Sequence, residues 1–503
     1  MNVLIYIPPP PERTSGEPRE LPVGALVIGS YAKHAGHNVK IIDGLASNSF
    51  TEAGFVPDVV GVSMLTMYSA LVIDEIRAFI ADVRRAADPV VVCGGPGSSV
   101  MSEAILNDKV ADYVVFGPGE DVFVELLSAL EAGTPVSGVS DIAYLDETGA
   151  YVKTPRSKCS GPCLQLQTDY SLMDITGYIN PFGSSNVKSI GLMTSRGCLY
   201  RCTFCYNEAF YGCAYQVRPV SVIIAEMKDL SENYGIMAFR FFDECFGFDK
   251  AWMRELCNAI IAELPSIRWF CMYRGGMNAR ADYELMYRAG CRVVSMGIET
   301  GDPQMSRTIR KSIDLASLPA EIEMLQDMGF WLMGYFIIGF PGETREQLKN
   351  TCDFMMASKI DLFYLSHFYL IPDTRLFEEM VRGGRAAMPK TIAEFQAFLS
   401  PRRYPNYSQI PERELNVVYA FMSLGFRFGI LFEKGKMRNN LKFYFSARTK
   451  GSGGGGLRYL FTSFAHYLKL MWQIAVHPSI RKRYGLQFNK FQRHPHGAMP
   501  TID

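Results

Sequence analysis

Short apolar runs rich in branched residues alternate with helix-spaced stretches through most of this chain, and few architectures accept that order. In the first part the runs fall at residues 3–7, 39–43, 59–63, 90–94 and 113–117, with helical spacing at 24–36 and 68–86 between them. Strands separated by helices predict a parallel sheet wound with helices on its faces. A second series has runs at 189–194, 238–242, 268–273, 292–298, 331–338 and 362–370. Six strand–helix units suggest a partial barrel of the triose-phosphate-isomerase kind, whose site lies at the strand ends and the loops after them. The fold class expected is therefore α/β. It comprises a doubly wound Rossmann-like domain over 1–145, a linker over 146–188, a partial (β/α)6 barrel over 189–380 and a mainly helical, basic region over 381–503. A chain of 503 residues is long enough for two or three domains.

The start of the second series carries an unusual string. It reads S-R-G-C-L-Y-R-C-T-F-C-Y-N and places Cys198, Cys202 and Cys205 in the spacing C-x-x-x-C-x-x-C. Three thiolates packed that closely can hold three irons of a 4Fe–4S cluster and leave the fourth open to a small chelating ligand. Free cysteine is also a common core residue, so the strings further along decide between the two readings. Phe241-Phe242-Asp243-Glu244 ends the second run. Its Asp243 and Glu244 suit an ammonium donor, or a helix cap followed by a first-turn acid. Arg274 ends the third and suits a carboxylate or a surface salt bridge. Ser295-Met296-Gly297-Ile298-Glu299-Thr300-Gly301 ends the fourth, and Ile338-Gly339-Phe340-Pro341-Gly342-Glu343-Thr344 the fifth.

The triad and these four strings, in this order, resemble the radical SAM superfamily. The resemblance implies a 4Fe–4S cluster on Cys198, Cys202 and Cys205, with S-adenosylmethionine chelated at the open iron. It implies one-electron cleavage of the sulfonium bond and a 5′-deoxyadenosyl radical that abstracts hydrogen from an unactivated carbon. Phe204 and Tyr206 match the aromatic beside the last cysteine. Asp243 and Glu244 match the acidic motif on the methionine amino group, and Arg274 its carboxylate partner. Ser295 and Glu299 match the string that meets ribose or substrate, and Gly339 the string near adenine. Tyr206 and Glu299 are the candidate catalytic residues, with Cys213 and Cys245 as further candidates for a proton donor.

Residues 1–145 resemble the cobalamin-binding module that precedes the barrel in one large radical SAM class. The matching pieces are Pro22 and Val23, the string from Gly36 to Asp43, Ser63, Met64 and Thr66, Gly94-Gly95-Pro96, and Gly119-Glu120. A glycine-rich rim at strand ends lets backbone approach a large flat ligand. The D-x-H-x-x-G string, whose histidine binds cobalt, is absent, so the lower axial position is undefined. A G-x-G-x-x-G string after the first run is also absent, which counts against a dinucleotide. The combination implies methylation of an unactivated carbon or a phosphorus of a small molecule by way of methylcobalamin. Cyclisation, ring contraction or oxidation without methyl transfer is the alternative within the class. A non-catalytic cobalamin or redox sensor is the alternative outside it. Methylthio transfer would want a second triad in the first domain, where only Cys93 is present.

The net charge of 0 hides an asymmetry: from Pro401 onward 17 Lys and Arg face 4 Asp and Glu, giving +13. A basic tail on an acidic body points to an anionic partner, either a substrate or a membrane surface. Residues 457–476 read as a membrane-surface helix or as a helix packed on the barrel. No uncharged run reaches the roughly 18 residues of a spanning helix, and the first residues do not read as an export signal. With 12 cysteines and no disulfide framework, the cytoplasm is the expected location. The expected partners are a small-molecule substrate, anionic or lipid-like, and an external electron donor of flavodoxin or ferredoxin type, with no nucleic acid. The oligomeric state is left open.

Overall fold

The computed structural model describes residues 1–10, 19–47, 49–156, 165–182, 186–212, 214–399, 405–431 and 476–486, the side chains of 424–431 excepted. Two seven-stranded sheets organise the chain. In the first, β1 (Asn2–Ile7), β2 (Asn38–Asp43), β3 (Val59–Ser63), β4 (Val90–Gly94) and β5 (Tyr113–Val115) run parallel in the order β2-β1-β3-β4-β5. Strands buried on both faces need branched residues throughout, which is why these runs are continuous rather than alternating. The order reverses between β1 and β3, and ligands of such sheets bind beyond the strand ends near a reversal of this kind.

The antiparallel strands β6 (Ile142–Leu145) and β7 (Tyr151–Lys153) extend this sheet. β7 lies within the stretch read as a linker. That stretch also sends Tyr170, Leu172, Ile175 and Tyr178 into the main core. They have no helix or strand period because they sit in short 3-10 turns, Tyr170–Leu172 and Thr176–Tyr178.

The second sheet begins with β8 (Asn180–Pro181), antiparallel to β9 (Lys188–Leu192). A separate ribbon, β10 (Ser195–Gly197) against β11 (Tyr215–Val217), interrupts it. The sheet then continues, all parallel, through β12 (Ala238–Phe241), β13 (Arg268–Tyr273), β14 (Cys291–Glu299), β15 (Trp331–Ile338) and β16 (Leu362–His367). These are the six parallel strands expected. The barrel is partial, with β8 at one end of the strand order and β16 at the other. Edge strand β16 is covered by the helix Glu412–Leu431, whose Leu415 and Val418 enter the main core.

Faces of the barrel strands alternate. On β13 the residues Trp269, Cys271 and Tyr273 are buried toward the helices, while Phe270 and Met272 are half-buried on the inner face. Near the strand starts the lumen is plugged by Phe182, Ala238, Val293, Trp331 and Met333. Beyond the barrel the chain returns to the first domain. Ile392, Phe395 and Leu399 complete that domain's second core with Met67, Val72 and Ile76. Gln396 Nε2 donates to the Ala70 carbonyl at 3.0 Å.

No described helix is long and apolar enough to cross a membrane. Residues 457–475, Cys159, Cys163, Cys213, and the basic residues Arg402, Arg403, Lys434, Lys436 and Arg438 lie outside the described residues.

Candidate active site

β9 ends at Leu192 and the chain turns into the β10–β11 ribbon. Gly197 closes that ribbon with φ +81°, and a Cβ there would lie 2.0 Å from the Ala214 carbonyl oxygen. Only glycine fits. Cys198 follows directly. Backbone bonds then fix the cysteine loop: Cys205 N–H donates to Cys202 O at 3.1 Å, and Thr203 N–H to Ile309 O at 3.0 Å. Thr203 O accepts from Leu376 N–H at 2.8 Å.

Cys198, Cys202 and Cys205 are free, half-buried thiols that perturb one another's ionisation. The Cys245 thiol, hydrogen-bonded to Cys198, holds Cys198 down to about 7. Burial pushes Cys202 up, and Cys205 up to about 12. Among the described residues no three His, Cys, Asp or Glu converge on a single metal ion. Three closely spaced thiolates can each bind a different iron, which is the donor chemistry a 4Fe–4S cluster needs.

The acids after β12 fix this loop. Asp243 is wholly buried and accepts from Thr194 N–H at 2.8 Å, Thr194 Oγ1 at 2.6 Å and Ser195 Oγ at 2.5 Å. Its oxygens clamp the turn from β9 to β10. Glu244 accepts from Gly197 N–H at 2.8 Å, and burial raises its pKa.

Arg274, 7% exposed at the end of β13, lies 3.7 Å over the Tyr200 ring and leaves Nη1 buried without a hydrogen-bond partner. An orphaned guanidinium N–H is costly, and a carboxylate satisfies it well. Glu299 ends β14 after a register shift, with φ +69°. That conformation is rare for a side chain other than glycine and persists only where its surroundings impose it. Its Oε1 pairs with Lys311 Nζ at 3.0 Å, both side chains being about nine-tenths buried. The Lys311 charge also lowers the pKa of each triad cysteine.

The fifth string folds as a turn around Gly339, φ +86°, whose N–H donates to Glu343 Oε2 at 2.6 Å. Glu343 is wholly buried with Oε1 unpartnered, and burial pushes it up to about 8. Thr344 caps the helix Arg345–Ala357 through a reciprocal bond with Gln347. Phe204 meets Phe340 at 5.6 Å, so the aromatic in the cysteine loop touches this string. Tyr206 precedes the helix Asn207–Tyr211, and burial raises its hydroxyl pKa. Ser295 is wholly buried on the inner face beside the Tyr335 hydroxyl.

The rim of the first domain faces the same region. A Cβ on Gly95 would lie 2.8 Å from Met64 O, and one on Gly97 2.1 Å from Thr66 O, so the loops after β3 and β4 touch through backbone. Met64 turns its side chain into the core, and its N–H and C=O bond Gly94 O and Gly97 N–H at 2.8 Å each. Leu65 beside it is 71% exposed. Pro22 and Val23 open the helix Val23–His34, and Ser63, Gly94 and Pro96 are half-buried at the strand ends.

Gly119 caps the helix Glu120–Ala132. Glu120 reaches Arg196 Nη1 at 2.7 Å in a largely buried pair. Arg156 donates to Ala209 O at 2.9 Å and to Phe210 O at 2.7 Å. The rim and the cysteine loop are thus sewn together. Lys311, Arg196 and Tyr200 escaped the sequence reading. Arg196 and Tyr200 lie within the quoted cysteine string, but their partners are remote in the chain. Lys311 follows no periodic element.

Residues 192–355 match the Radical SAM superfamily and residues 15–127 the B12 binding domain. An uncharacterized methyltransferase of Pyrococcus horikoshii is 30% identical over 398 residues, covering 75% of this chain and 83% of the relative. A cytidylyl-2-hydroxyethylphosphonate methyltransferase of Streptomyces wedmorensis is 26% identical, with 72% and 78% covered. Among solved structures, TsrM of Kitasatospora setae, a radical S-adenosylmethionine methyltransferase with cobalamin and a [4Fe–4S] cluster bound, superposes with a TM-score of 0.68. It is 19% identical, and the match covers 89% of this chain and 99% of that one.

Proposed function

The chain belongs to the radical SAM superfamily and carries a B12-binding domain, and we propose that it methylates an unactivated carbon or a phosphorus of a small molecule. The methyltransferase relative that covers three quarters of the chain supports this reading. The single observation that carries it is structural: the glycine-rich rim of the first domain is joined through Glu120–Arg196 to the ribbon that presents Cys198. One joint would therefore hold an edge for the corrin beside a loop for the cluster.

The cofactors of such an enzyme are a 4Fe–4S cluster, S-adenosylmethionine and cobalamin, which when bound supply electron transfer, radical generation and a carried methyl group. Cys198, Cys202 and Cys205 would hold the cluster. Arg274, with Nη1 unpartnered, is the group for the carboxylate of S-adenosylmethionine, and Glu244 the acid for its ammonium. Asp243 acts one step back, by fixing the turn that carries the cysteines. Lys311 offsets negative charge where the thiolates gather, and Glu299 in turn holds Lys311. Phe204 and Phe340 exclude water beside Gly339, whose turn would meet the adenine. Ser63, Thr66, Gly94, Gly95, Pro96 and Gly119 form the edge for cobalamin, with Pro22 and Val23 opening its neighbouring helix. Tyr206, half-buried and uncharged, is a hydrogen donor beside the cysteine loop. A flavodoxin- or ferredoxin-type donor in the cytoplasm would supply electrons.

Anaerobic turnover with methylcobalamin, S-adenosylmethionine and a low-potential reductant tests this, with products read by mass spectrometry. Formation of both 5′-deoxyadenosine and S-adenosylhomocysteine is expected, the former lost in Cys202→Ala. Deoxyadenosine alone would mean cyclisation, ring contraction or oxidation instead. Bound cobalamin with neither product would mean a sensor.

A further inference from the structure

Arg240 is a cation of strand β12, and no role above uses it. It lies on β12 between Phe239 and Phe241, both wholly buried toward the helices, with Phe241 stacked 4.9 Å from Trp269. Strand alternation turns Arg240 to the opposite, inner face. Ala238, two residues earlier on that face, belongs to the apolar plug. Asp243 and Glu244, just beyond the strand, belong to the cysteine loop's anchorage. Arg240 therefore sits between the plug and the cluster-binding end.

Its hydrogen bonding is incomplete. Nη1 donates to Glu20 Oε1, from the segment just before the helix Val23–His34. Nε and Nη2 are buried and have no hydrogen-bond partner. Those two atoms form one edge of the guanidinium, the edge that takes a carboxylate or phosphate side-on through two parallel bonds. The surroundings are apolar and flat. The Phe242 ring lies 5.7 Å from the guanidinium carbon, and Tyr335 stacks on Tyr364 at 5.1 Å. Phe270 and Met272 are half-buried on the same face. An unmatched cation edge among rings and thioether is complementary to an anionic head on an apolar body.

We propose that Arg240 binds a carboxylate or phosphate group of the methyl acceptor in the mid-lumen, with the acceptor's apolar body against Phe242, Phe270 and Tyr335. This rests on the methyltransferase reading and names its substrate class.

The test is calorimetric titration of the anaerobically reconstituted holoprotein with benzoate, phenyl phosphate and, as the uncharged control, benzamide. The two anions are expected to bind and benzamide not, and their ratio tells carboxylate from phosphate. Arg240→Gln should weaken the anions at least tenfold and Arg240→Lys less. Glu20→Gln, which removes the competing internal carboxylate, should strengthen them. Equal binding of benzamide, no binding of either anion, or unchanged affinity in Arg240→Gln would overturn the assignment. So would loss of binding in Arg274→Gln alone, which would place the anion at the cofactor's cation. Iron and cobalamin content, measured on each sample, separates the two failures. A protein that loads neither group fails the methyltransferase reading, whereas a loaded protein that ignores the anions fails only this inference.

Discussion

At Gly197 the fold dictates conformation, and at Glu343 it dictates charge. Gly197→Ala forces a left-handed φ and a 2.0 Å approach to backbone that cannot yield. The strain is of the order of 1–3 kcal/mol, and it falls on the ribbon beside Cys198. We expect iron per chain to drop severalfold in reconstituted Gly197→Ala while cobalamin binding persists; undiminished iron would contradict this. Glu343 makes a pH prediction. Its carboxyl is pushed up to about 8 from an ordinary 4.5, so the native state keeps a proton that the unfolded chain releases across that interval. The contribution is complete below the unfolded pKa and is lost as pH rises through the folded one. The melting advantage of the native protein over Glu343→Gln should therefore shrink between about pH 5 and pH 8.5, and a constant gap would refute the raised pKa. At this scale the cysteine triad was legible because its chemistry depends on neighbours in sequence. The partners of Asp243, Glu120 and Lys311 were not, because a charged side chain's contacts depend on long-range packing.

At the level of elements, the long parallel strands were legible from branched, buried runs, and β13 and β15 match residue for residue. The strands that escaped, β6 to β8 and the β10–β11 ribbon, have two to four residues each. Too short to show alternation, they are specified by the partner each pairs with. The ribbon is nevertheless the element that meets the first domain, through Arg196 and Glu120. Removing one member of a largely buried pair strands the other charge and costs about 3–5 kcal/mol. Glu120→Ala should therefore lower the urea midpoint more than the double variant Glu120→Met/Arg196→Met. If the double variant is the less stable, a stranded Arg196 charge is not what the single variant suffers from.

Across the whole molecule, the first domain is not self-sufficient. Ile392, Phe395 and Leu399 belong to its core although the barrel separates them from it in sequence. Phe395→Ala should cost about 3–5 kcal/mol, and it should destabilise cobalamin retention as well as melting temperature. A variant that melts lower but holds cobalamin with native affinity would show that the helix supports the fold without supporting the rim. Composition gave no hint of this return, since a seven-residue helix carries little periodic signal. The unclosed barrel has its own consequence. A ring of eight strands admits a reactant only through its mouth, so the mouth's diameter caps the reactant's girth. Here β16 ends the row with Tyr364, on its inner face, 46% exposed. The helix Glu412–Leu431 lies over that edge, so this side of the lumen is bounded by side-chain packing rather than by a further ladder of backbone hydrogen bonds, and its width follows the packing.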